Sequence, residues 1–217
     1  MQTKVSARLL PPNRKRSRRK DERPREIVAA AVELFIARGF GATRLSDVAE
    51  RAGIAKGTIY LYCESKTDLF RRMARAILDE AVMSKPAMQA LPFPKRIERL
   101  LGHAADMLSD GRVSGLIRLI ISESRAFPDL TQIWHDEVAA QLVGLLVSEI
   151  ADAQARGEIG TGDPRLFAFS LAGPLIAASL FGDVFSPAGA PPPDLAKLAS
   201  QHTDAILNGL LRPRPEH

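Results

Sequence analysis

Apolar residues recur at helical spacing along most of the chain, and glycine and proline interrupt this pattern at intervals. No convincing alternation of apolar and polar residues indicates strands, and no internal repeat is found. Of the 217 residues, 46% are hydrophobic, so the chain can bury a core without disulfides. The sequence therefore predicts an all-α protein.

Capping and turn signals divide the chain into helices. Pro24 suits a first helical turn, and Gly39 suits the end of that helix. Ser65 and Asp68 have the spacing of a capping box, and Asp163-Pro164 is a strong start signal. Predicted helices cover 24–38, about 45–52, 55–62, a helix opening at Ser65, 95–109, 113–126, 129–156, 164–184 and 194–210, with a loop over 186–193.

Positive charge is concentrated at the N-terminus, where the first 20 residues contain eight basic residues and no acidic one. Such a self-repelling block cannot fold alone, so residues 1–22 are predicted to form a disordered arm. The arm could follow DNA phosphates or enter a minor groove, or it could be a solubilising tail or a misassigned start. The joint at Leu91-Pro92-Phe93-Pro94 divides the rest into predicted domains at 23–84 and 85–217.

Signals for secretion, metal binding and catalysis are weak. The one cysteine, Cys63, fits a reducing, cytoplasmic compartment, and the first residues do not have the apolar stretch of a signal peptide. His103 and His135 with a nearby acid could in principle form a hydrolytic or metal site. However, no helix has the His-x-x-x-His spacing, and no phosphate loop or nucleophile elbow is found. We therefore expect no enzyme activity, cofactor or metal.

The segment 43–62, TRLSDVAERAGIAKGTIYLY, has the pattern of a short helix, a glycine turn and a second short helix. Ala49 is small where the helices must approach, and Gly53 permits a positive φ at the turn. Ile54 and Ile59 can fill a small core. The second helix of such a unit lies in the major groove and presents its first residues to base edges. The segment therefore predicts a helix-turn-helix.

The stretch 25–76 resembles the DNA-binding domain of the TetR/AcrR family of transcriptional regulators. The matching residues are Ala30-x-x-Glu33-Leu34-Phe35, Gly39-Phe40, Thr43, Asp47-Val48-Ala49-x-x-Ala52-Gly53, Gly57-Thr58-Ile59-Tyr60 and Ser65-Lys66-x-x-Leu69. Later pieces, Arg118-Leu119-Ile120-Ile121-x-Glu123, Phe127-Pro128-x-Leu130 and Asp163-Pro164, resemble the family's ligand-binding domains loosely. The resemblance implies an N-terminal three-helix helix-turn-helix domain and a C-terminal helical domain for ligand binding and dimerisation.

The resemblance also implies roles for individual residues. Thr43 would cap the second helix, Lys56 would reach bases or phosphates, and Lys66 would bind a phosphate at the N-terminus of the fourth helix. Tyr60 would contact the DNA backbone or a thymine methyl group. The expected DNA-binding residues are Thr43, Arg44, Ser46, Lys56, Gly57, Thr58, Tyr60, Leu61, Tyr62 and Lys66.

Other interpretations of these residues stay open. Tyr60 could belong to the core with an exposed hydroxyl, and Lys56 and Lys66 could be ordinary surface lysines. Arg44 fits a solvated or nonspecific charge better than a specific contact. Cys63 stands where the family usually has a core phenylalanine, and its interpretation as a small core residue is favoured over a redox sensor.

The stretch Leu166–Gly182 contains no charged residue, which favours a helix buried between its own domain and a partner subunit. Its length is borderline for a membrane span, and Gly173-Pro174 interrupts it. In the family, the last two long helices form a bundle across a two-fold axis. The expected partners are therefore a second copy, through helices near 164–184 and 194–210, and a palindromic double-stranded DNA operator.

The resemblance further implies a small-molecule pocket in the C-terminal domain. The candidate lining residues are His103, Arg118, Trp134 and His135, with Glu123 and Arg125 as further polar candidates. Arg118 and Glu123 could instead form a surface ion pair, and Trp134 could be a core residue. The expected function is a sequence-specific transcriptional regulator, a repressor released from its operator by a small molecule. The alternatives are a nonspecific architectural DNA-binding protein and an activator with the same fold.

Overall fold

The computed structural model describes residues 14–82 and 90–210, and every regular element in these ranges is helical. The elements are α1 (Arg14–Arg38), α2 (Leu45–Arg51), a 3-10 turn (Ile59–Leu61), α3 (Lys66–Ala81), α4 (Phe93–Ser109), α5 (Arg112–Glu123), α6 (Pro128–Trp134), a π turn (His135–Ala139), α7 (Ala140–Ala155), α8 (Pro164–Phe185), a second 3-10 turn (Ser186–Ala188) and α9 (Leu195–Leu210). The predicted all-α fold is confirmed.

Two helix starts follow their capping residues as predicted. The Ser65 hydroxyl accepts a hydrogen bond from the Asp68 amide at 3.0 Å, and the Asp68 carboxylate accepts one from the Glu64 amide at 3.1 Å. Asp163 accepts from the Arg165 amide at 2.8 Å, directly before Pro164. These side chains satisfy amides that have no partner in the first turn of a helix, so they fix where α3 and α8 begin.

The first helix begins earlier than its predicted start. α1 begins at Arg14, so it includes residues 14–22 of the arm that the sequence predicts to be disordered, while residues 1–13 lie outside the described part of the chain. Pro24 lies inside α1 and not in its first turn. Arginine and lysine are good helix formers, and the packed second half of α1 supplies a template on which they can continue the helix.

The short helix predicted over 55–62 is present as a 3-10 turn and is shorter than predicted. The amides of Thr58, Leu61 and Tyr62 donate to the carbonyl groups three residues earlier, at 2.8, 3.1 and 2.9 Å. This is the 3-10 pattern, and the regular part is limited to Ile59–Leu61. Gly57 and the β-branched residues Thr58 and Ile59 have low helix propensity, which explains why no longer α-helix forms here.

The long helix predicted over 129–156 is present as the continuous run of α6, the π turn and α7, from Pro128 to Ala155. The π turn over His135–Ala139 was not predicted. α6 and the π turn pack on α3, whereas α7 packs mainly on α8. The long helix therefore connects α3, in the helix-turn-helix region, with α8.

Buried side chains form two clusters. The first combines α1, α2, the 3-10 turn and α3 with one face of α5 and α6. Its largest fully buried members are Phe35, Phe70, Ile27, Ile59, Leu69, Met73, Leu116 and Leu130. The second combines α4, α7, α8 and α9, with Phe93, Ile97, Leu101, Ile150, Leu171 and Leu175 among its members. Each such side chain contributes about 1.5–3 kcal/mol when removed from water, so both clusters stabilise the fold.

Two helical runs, Pro128–Ala155 and Pro164–Ala188, are long and apolar enough to cross a membrane by length and composition. The same properties are found in core helices of soluble proteins. In the second run, many apolar side chains face away from the second cluster, and their arrangement is described below.

Candidate DNA-binding site

The start of α2 is built differently from the expected arrangement. Arg44 is the N-cap residue, and its amide donates to the Asp47 carboxylate at 3.0 Å. Thr43 is only 1% exposed, and its hydroxyl donates to the carbonyl groups of Gly39 at 2.7 Å and Leu34 at 3.3 Å. The expected capping role of Thr43 is therefore wrong. Its hydroxyl satisfies carbonyl groups left open at the end of α1.

The turn after α2 agrees with its predicted chemistry. Gly53 has φ +64°, and the Ile54 amide donates back to the Ala49 carbonyl at 2.9 Å. Val48, Ala49 and Ile59 are fully buried between the short helical elements. This small core holds the second element of the helix-turn-helix at a fixed angle to α2.

The segment 55–61 forms an exposed tip, which we call the recognition tip. Ala55, Lys56 and Gly57 are exposed, Tyr60 is 57% exposed and Leu61 is 82% exposed. Thr58 and Tyr62, which were also expected to contact DNA, are half-buried. The structure thus brings Lys56, Gly57, Tyr60 and Leu61 together at one surface, beside a buried core.

Arg44 and Ser46 lie near the start of α2. Arg44 is exposed, whereas Ser46 is half-buried and its hydroxyl donates to the Asp47 carboxylate at 3.3 Å. The Asp47 carboxylate therefore accepts hydrogen bonds from both the Arg44 amide and the Ser46 hydroxyl at the N-terminal end of α2.

Lys66 makes internal contacts that the sequence did not predict. Its ammonium group donates to the carbonyl groups of Phe40 and, at 3.2 Å, Gly41, and it lies 4.3 Å from the centre of the Phe40 ring. Burial lowers the pKa of Lys66, and the negative charge of Glu123 opposes that shift. The phosphate contact expected of Lys66 stays a prediction.

Cys63 is buried beneath the recognition tip, with 2% of its surface exposed. Its thiol donates to the Ile59 carbonyl at 3.7 Å. Burial raises the pKa of Cys63, the charge of Asp68 raises it further, and Arg72 opposes both. The thiol is therefore a neutral core group, in agreement with the favoured interpretation.

Among the contacts between the helix-turn-helix region and later helices, two involve carboxylates that the later helices supply. The carboxylate of Glu123, at the end of α5, accepts from the amides of Phe40 and Gly41, each at 3.0 Å. Glu137, in the π turn, pairs with Arg75 at 2.8 Å and with Arg71 at 3.6 Å. No sequence signal predicts these pairs, because 82 or 83 residues separate Glu123 from its partners.

The four candidate effector-binding residues lie in different surroundings. His103 Nε2 lies 3.0 Å from the Glu80 carbonyl, Arg118 is exposed, and Trp134 packs against the first cluster. His135 lines an open groove of about 510 Å³ with Ser124, Pro128, Thr131 and Gln132. The structure does not bring the four together in one cavity of its described part, and Glu123 faces the α1–α2 turn and is not paired with Arg118.

α8 presents a row of exposed apolar side chains, which we call the α8 stripe. Its members are Leu166, Phe169, Ile176, Phe181, Val184 and Phe185. Most of them follow one another at intervals that place them along one side of the helix. The opposite side, including Leu171 and Leu175, is buried in the second cluster. α8 is therefore apolar on both sides, although only one side is covered.

Known proteins agree with this architecture. Residues 27–73 match the family model described as bacterial regulatory proteins, tetR family, and residues 95–206 match the one described as AefR-like transcriptional repressor, C-terminal domain.

Among similar sequences, the uncharacterised HTH-type transcriptional regulator YfiR of Bacillus subtilis is 41% identical over 63 residues, which are 29% of this chain and 31% of YfiR. The HTH-type transcriptional regulator RutR of Escherichia coli O157:H7 is 27% identical over 171 residues, covering 72% of this chain and 74% of RutR. Among solved structures, the transcriptional regulator FadR from Bacillus subtilis in complex with stearoyl-CoA has a TM-score of 0.68 at 20% identity, covering 85% of this chain and 98% of FadR.

The C-terminal family model alone spans more than half of the chain, and the N-terminal model covers the helix-turn-helix. These relatives are transcriptional regulators and not enzymes. The matched regions contain most of both clusters, together with the recognition tip and the α8 stripe. The chain therefore belongs to the TetR family of DNA-binding transcriptional regulators.

Proposed function

We propose that this protein is a cytoplasmic, dimeric repressor that binds a specific palindromic operator and is released from it by a small molecule. The observation that carries the DNA-binding part is the recognition tip. Tyr60 and Leu61 are largely exposed although the core directly beneath them, at Ile59 and Cys63, is closed. Apolar groups held outward by a rigid base are suited to contact thymine methyl groups and sugars, while Lys56 is suited to a phosphate.

The α8 stripe supports a homodimer. Two copies joined through α8, with α9 beside it, would cover six large apolar side chains per subunit. Contact between the two copies would shield these side chains from water, so the apolar composition of α8 is accounted for without a membrane. A two-fold axis there would give two recognition tips, which read successive major grooves about 34–36 Å apart in a palindromic site.

The release by a ligand rests on the family and on the helical C-terminal domain. His103, Arg118, Trp134 and His135 remain the proposed effector-binding residues, with His135 at the open groove. FadR, which shares the fold, was solved in complex with stearoyl-CoA, so stearoyl-CoA is a reasonable first probe. An activator with the same fold would have the same tip and stripe.

The test of DNA binding is selection of sites from random duplexes with the full-length protein at about 150 mM salt. We expect an enriched palindrome whose half-sites are about one helical turn apart. Binding without enrichment that fades steadily as salt rises would contradict this function. It would favour the alternative of a nonspecific architectural protein whose basic N-terminal arm provides the affinity.

Release is tested by adding stearoyl-CoA to the protein bound to the selected duplex. A ligand that weakens DNA binding must itself bind more weakly to the DNA complex, by the same factor. If stearoyl-CoA binds with equal affinity with and without DNA, it is not the effector. A panel of other hydrophobic acids and their thioesters then follows, with transcription from the selected operator as the readout for repression against activation.

A further inference from the structure

The turn between α1 and α2, Gly39-Phe40-Gly41, is held from two directions. The Glu123 carboxylate accepts the amides of Phe40 and Gly41, each at 3.0 Å. The Lys66 ammonium group binds the carbonyl groups of the same two residues from the other direction. Two successive amides that converge on one carboxylate form a charge-assisted pair, which is stronger than a neutral hydrogen bond.

The two holding groups come from different parts of the chain. Lys66 begins α3, which belongs to the helix-turn-helix region, whereas Glu123 ends α5, which is matched by the C-terminal family model. The polar contact with Glu123 therefore joins the regions, and the ring of Phe127, 5.2 Å from that of Phe40, supports it by packing.

The turn is shaped for this contact. A Cβ atom at Gly39 would collide with Oε1 of Glu123, and one at Gly41 would lie 3.2 Å from the Phe127 ring. Gly39 has φ +84°, a backbone conformation that L side chains rarely adopt, and a side chain there would also displace the Glu123 carboxylate. A side chain at Gly41 would press on the Phe127 ring. The two glycines on either side of Phe40 therefore favour this close contact.

The turn leads directly to the reading surface. The Thr43 hydroxyl bonds the Gly39 carbonyl at 2.7 Å, and Arg44 begins α2 one residue later. The Ile54 amide then bonds the Ala49 carbonyl at 2.9 Å and fixes the recognition tip to α2. A short chain of bonded groups therefore connects Glu123 to the tip through the start of α2.

We propose that Glu123 is a positioning residue for operator recognition: its carboxylate fixes the angle at which each helix-turn-helix is held relative to the dimer, and so selects the distance between half-sites. This proposal rests on the proposed function. It concerns the spacing of the two half-sites and not the contacts within one half-site, because the hydrogen bonds of Glu123 are to Phe40 and Gly41 and not to the recognition tip.

The test compares operator duplexes in which the selected half-site spacing is lengthened or shortened by one or two base pairs. For the wild type, affinity should fall steeply away from the selected spacing. Glu123→Gln replaces one acceptor oxygen by an amino group that faces a backbone amide. We expect it to reduce the preference for the selected spacing about tenfold. Glu123→Ala should do the same, while binding to a duplex with a single half-site stays within about twofold of wild type.

Glu98→Gln is the matched control, since Glu98 is exposed on α4 and, among the residues that the structure describes, pairs with Lys95 alone. It should retain the wild-type spacing profile. If both Glu123 variants weaken binding equally at every spacing and at a single half-site, in parallel with a lower Tm, Glu123 is only a stabilising contact and the proposal is wrong. If the wild type selects no palindrome, the proposed function fails first, and the proposal fails with it.

Discussion

Most of the exposed large apolar side chains in the described part of the chain lie in two regions, the recognition tip and the α8 stripe, which differ in length and in neighbouring charge. The recognition tip is a short turn in which Tyr60 and Leu61 stand beside Lys56 and an exposed glycine. The α8 stripe extends along a helix of 22 residues, and no charge interrupts it from Leu166 to Gly182. Apolar exposure alone therefore does not identify the partner, whereas the length of the surface and its neighbouring charges do.

The energies expected at the two surfaces differ in the same way. The six large side chains of the α8 stripe are between 38% and 63% exposed, so covering each contributes a part of the about 1.5–3 kcal/mol of full burial, and together they favour association of two copies. Burying two side chains at the tip contributes far less, so most of the affinity there must come from phosphate contacts and depends on salt. The first surface suits a permanent partner, and the second suits a partner that can be released.

The largest effect is expected from a charge in the α8 stripe. Phe181→Asp places a carboxylate in the proposed interface twice, because the interface is symmetric, and should weaken dimerisation at least about 1000-fold. Sedimentation velocity over a concentration series measures it. Ile121→Asp is the control, since Ile121 is 63% exposed on α5, outside the stripe. A Phe181→Asp protein that dimerises as wild type would show that the stripe is not the interface.

The next effect concerns the recognition tip. Tyr60→Ala should lower affinity for the selected operator about 10- to 100-fold and leave dimerisation unchanged, because it removes the proposed contacts to DNA and leaves the α8 stripe intact. Fluorescence anisotropy at fixed salt gives the affinity, and Ile121→Ala serves as the matched apolar truncation. Unchanged DNA affinity in Tyr60→Ala would remove the distinction between the two surfaces.

A smaller effect tests whether the tip is rigid. Burial raises the pKa of Cys63 and keeps the thiol neutral and covered. Its alkylation at pH 8 should therefore be about 100-fold slower in the native protein than in urea. Mass spectrometry over time gives both rates. Fast alkylation without urea would mean that the tip opens readily, and the exposure of Tyr60 and Leu61 would then reflect local unfolding.

The smallest effect tests whether the helix-turn-helix region is tied to the π turn. The hydrogen bond from Arg75 holds the pKa of the Glu137 carboxyl below its ordinary value. The resulting stabilisation is present above the unfolded pKa and is lost as pH falls through the lower, folded pKa. Glu137→Gln should therefore have a lower Tm than wild type at pH 7, and the difference should shrink and then vanish as pH falls through the lowered, folded pKa of Glu137. Because Arg75 is well exposed, the difference should be small. If Glu137→Gln and the wild type have the same Tm at pH 7, the pair between Arg75 and Glu137 does not stabilise the fold.

The sequence predicted helix boundaries correctly where a side chain hydrogen-bonds to the backbone of its own segment. Ser65 and Asp163 cap helices through amides two or three residues away, and Gly53 provides the positive φ that the turn after α2 needs. The recognition tip was also located from its pattern. Its 3-10 geometry was not predicted. The 3-10 helix and the α-helix differ by one residue in the spacing of their hydrogen bonds, and in so short a segment this difference produces no distinct sequence pattern.

Contacts between distant segments could not be predicted from the sequence. Thr43 has the residue type of a capping residue. However, its hydroxyl donates to the carbonyl groups of Leu34 and Gly39, near the end of α1, and does not cap α2. Lys66 and Glu123 meet at the α1–α2 turn although 57 residue positions separate them in the chain and neither follows a local pattern. Such pairs depend on how helices pack, which periodicity alone does not determine.

The π turn in the long helix changes which face of the helix points toward each of the two clusters. Before it, Leu130 and Ile133 face the first cluster, and after it, Ile150 and Ala153 face the second. A π turn contains one residue more than the α-turn it replaces, and one residue corresponds to a rotation of about 100° about a helix axis. Deleting a single residue such as Ala139 would restore an unbroken α-helix but turn α6 away from the first cluster. In this protein, the insertion or deletion of one residue at this single place would therefore change the relative orientation of the two halves.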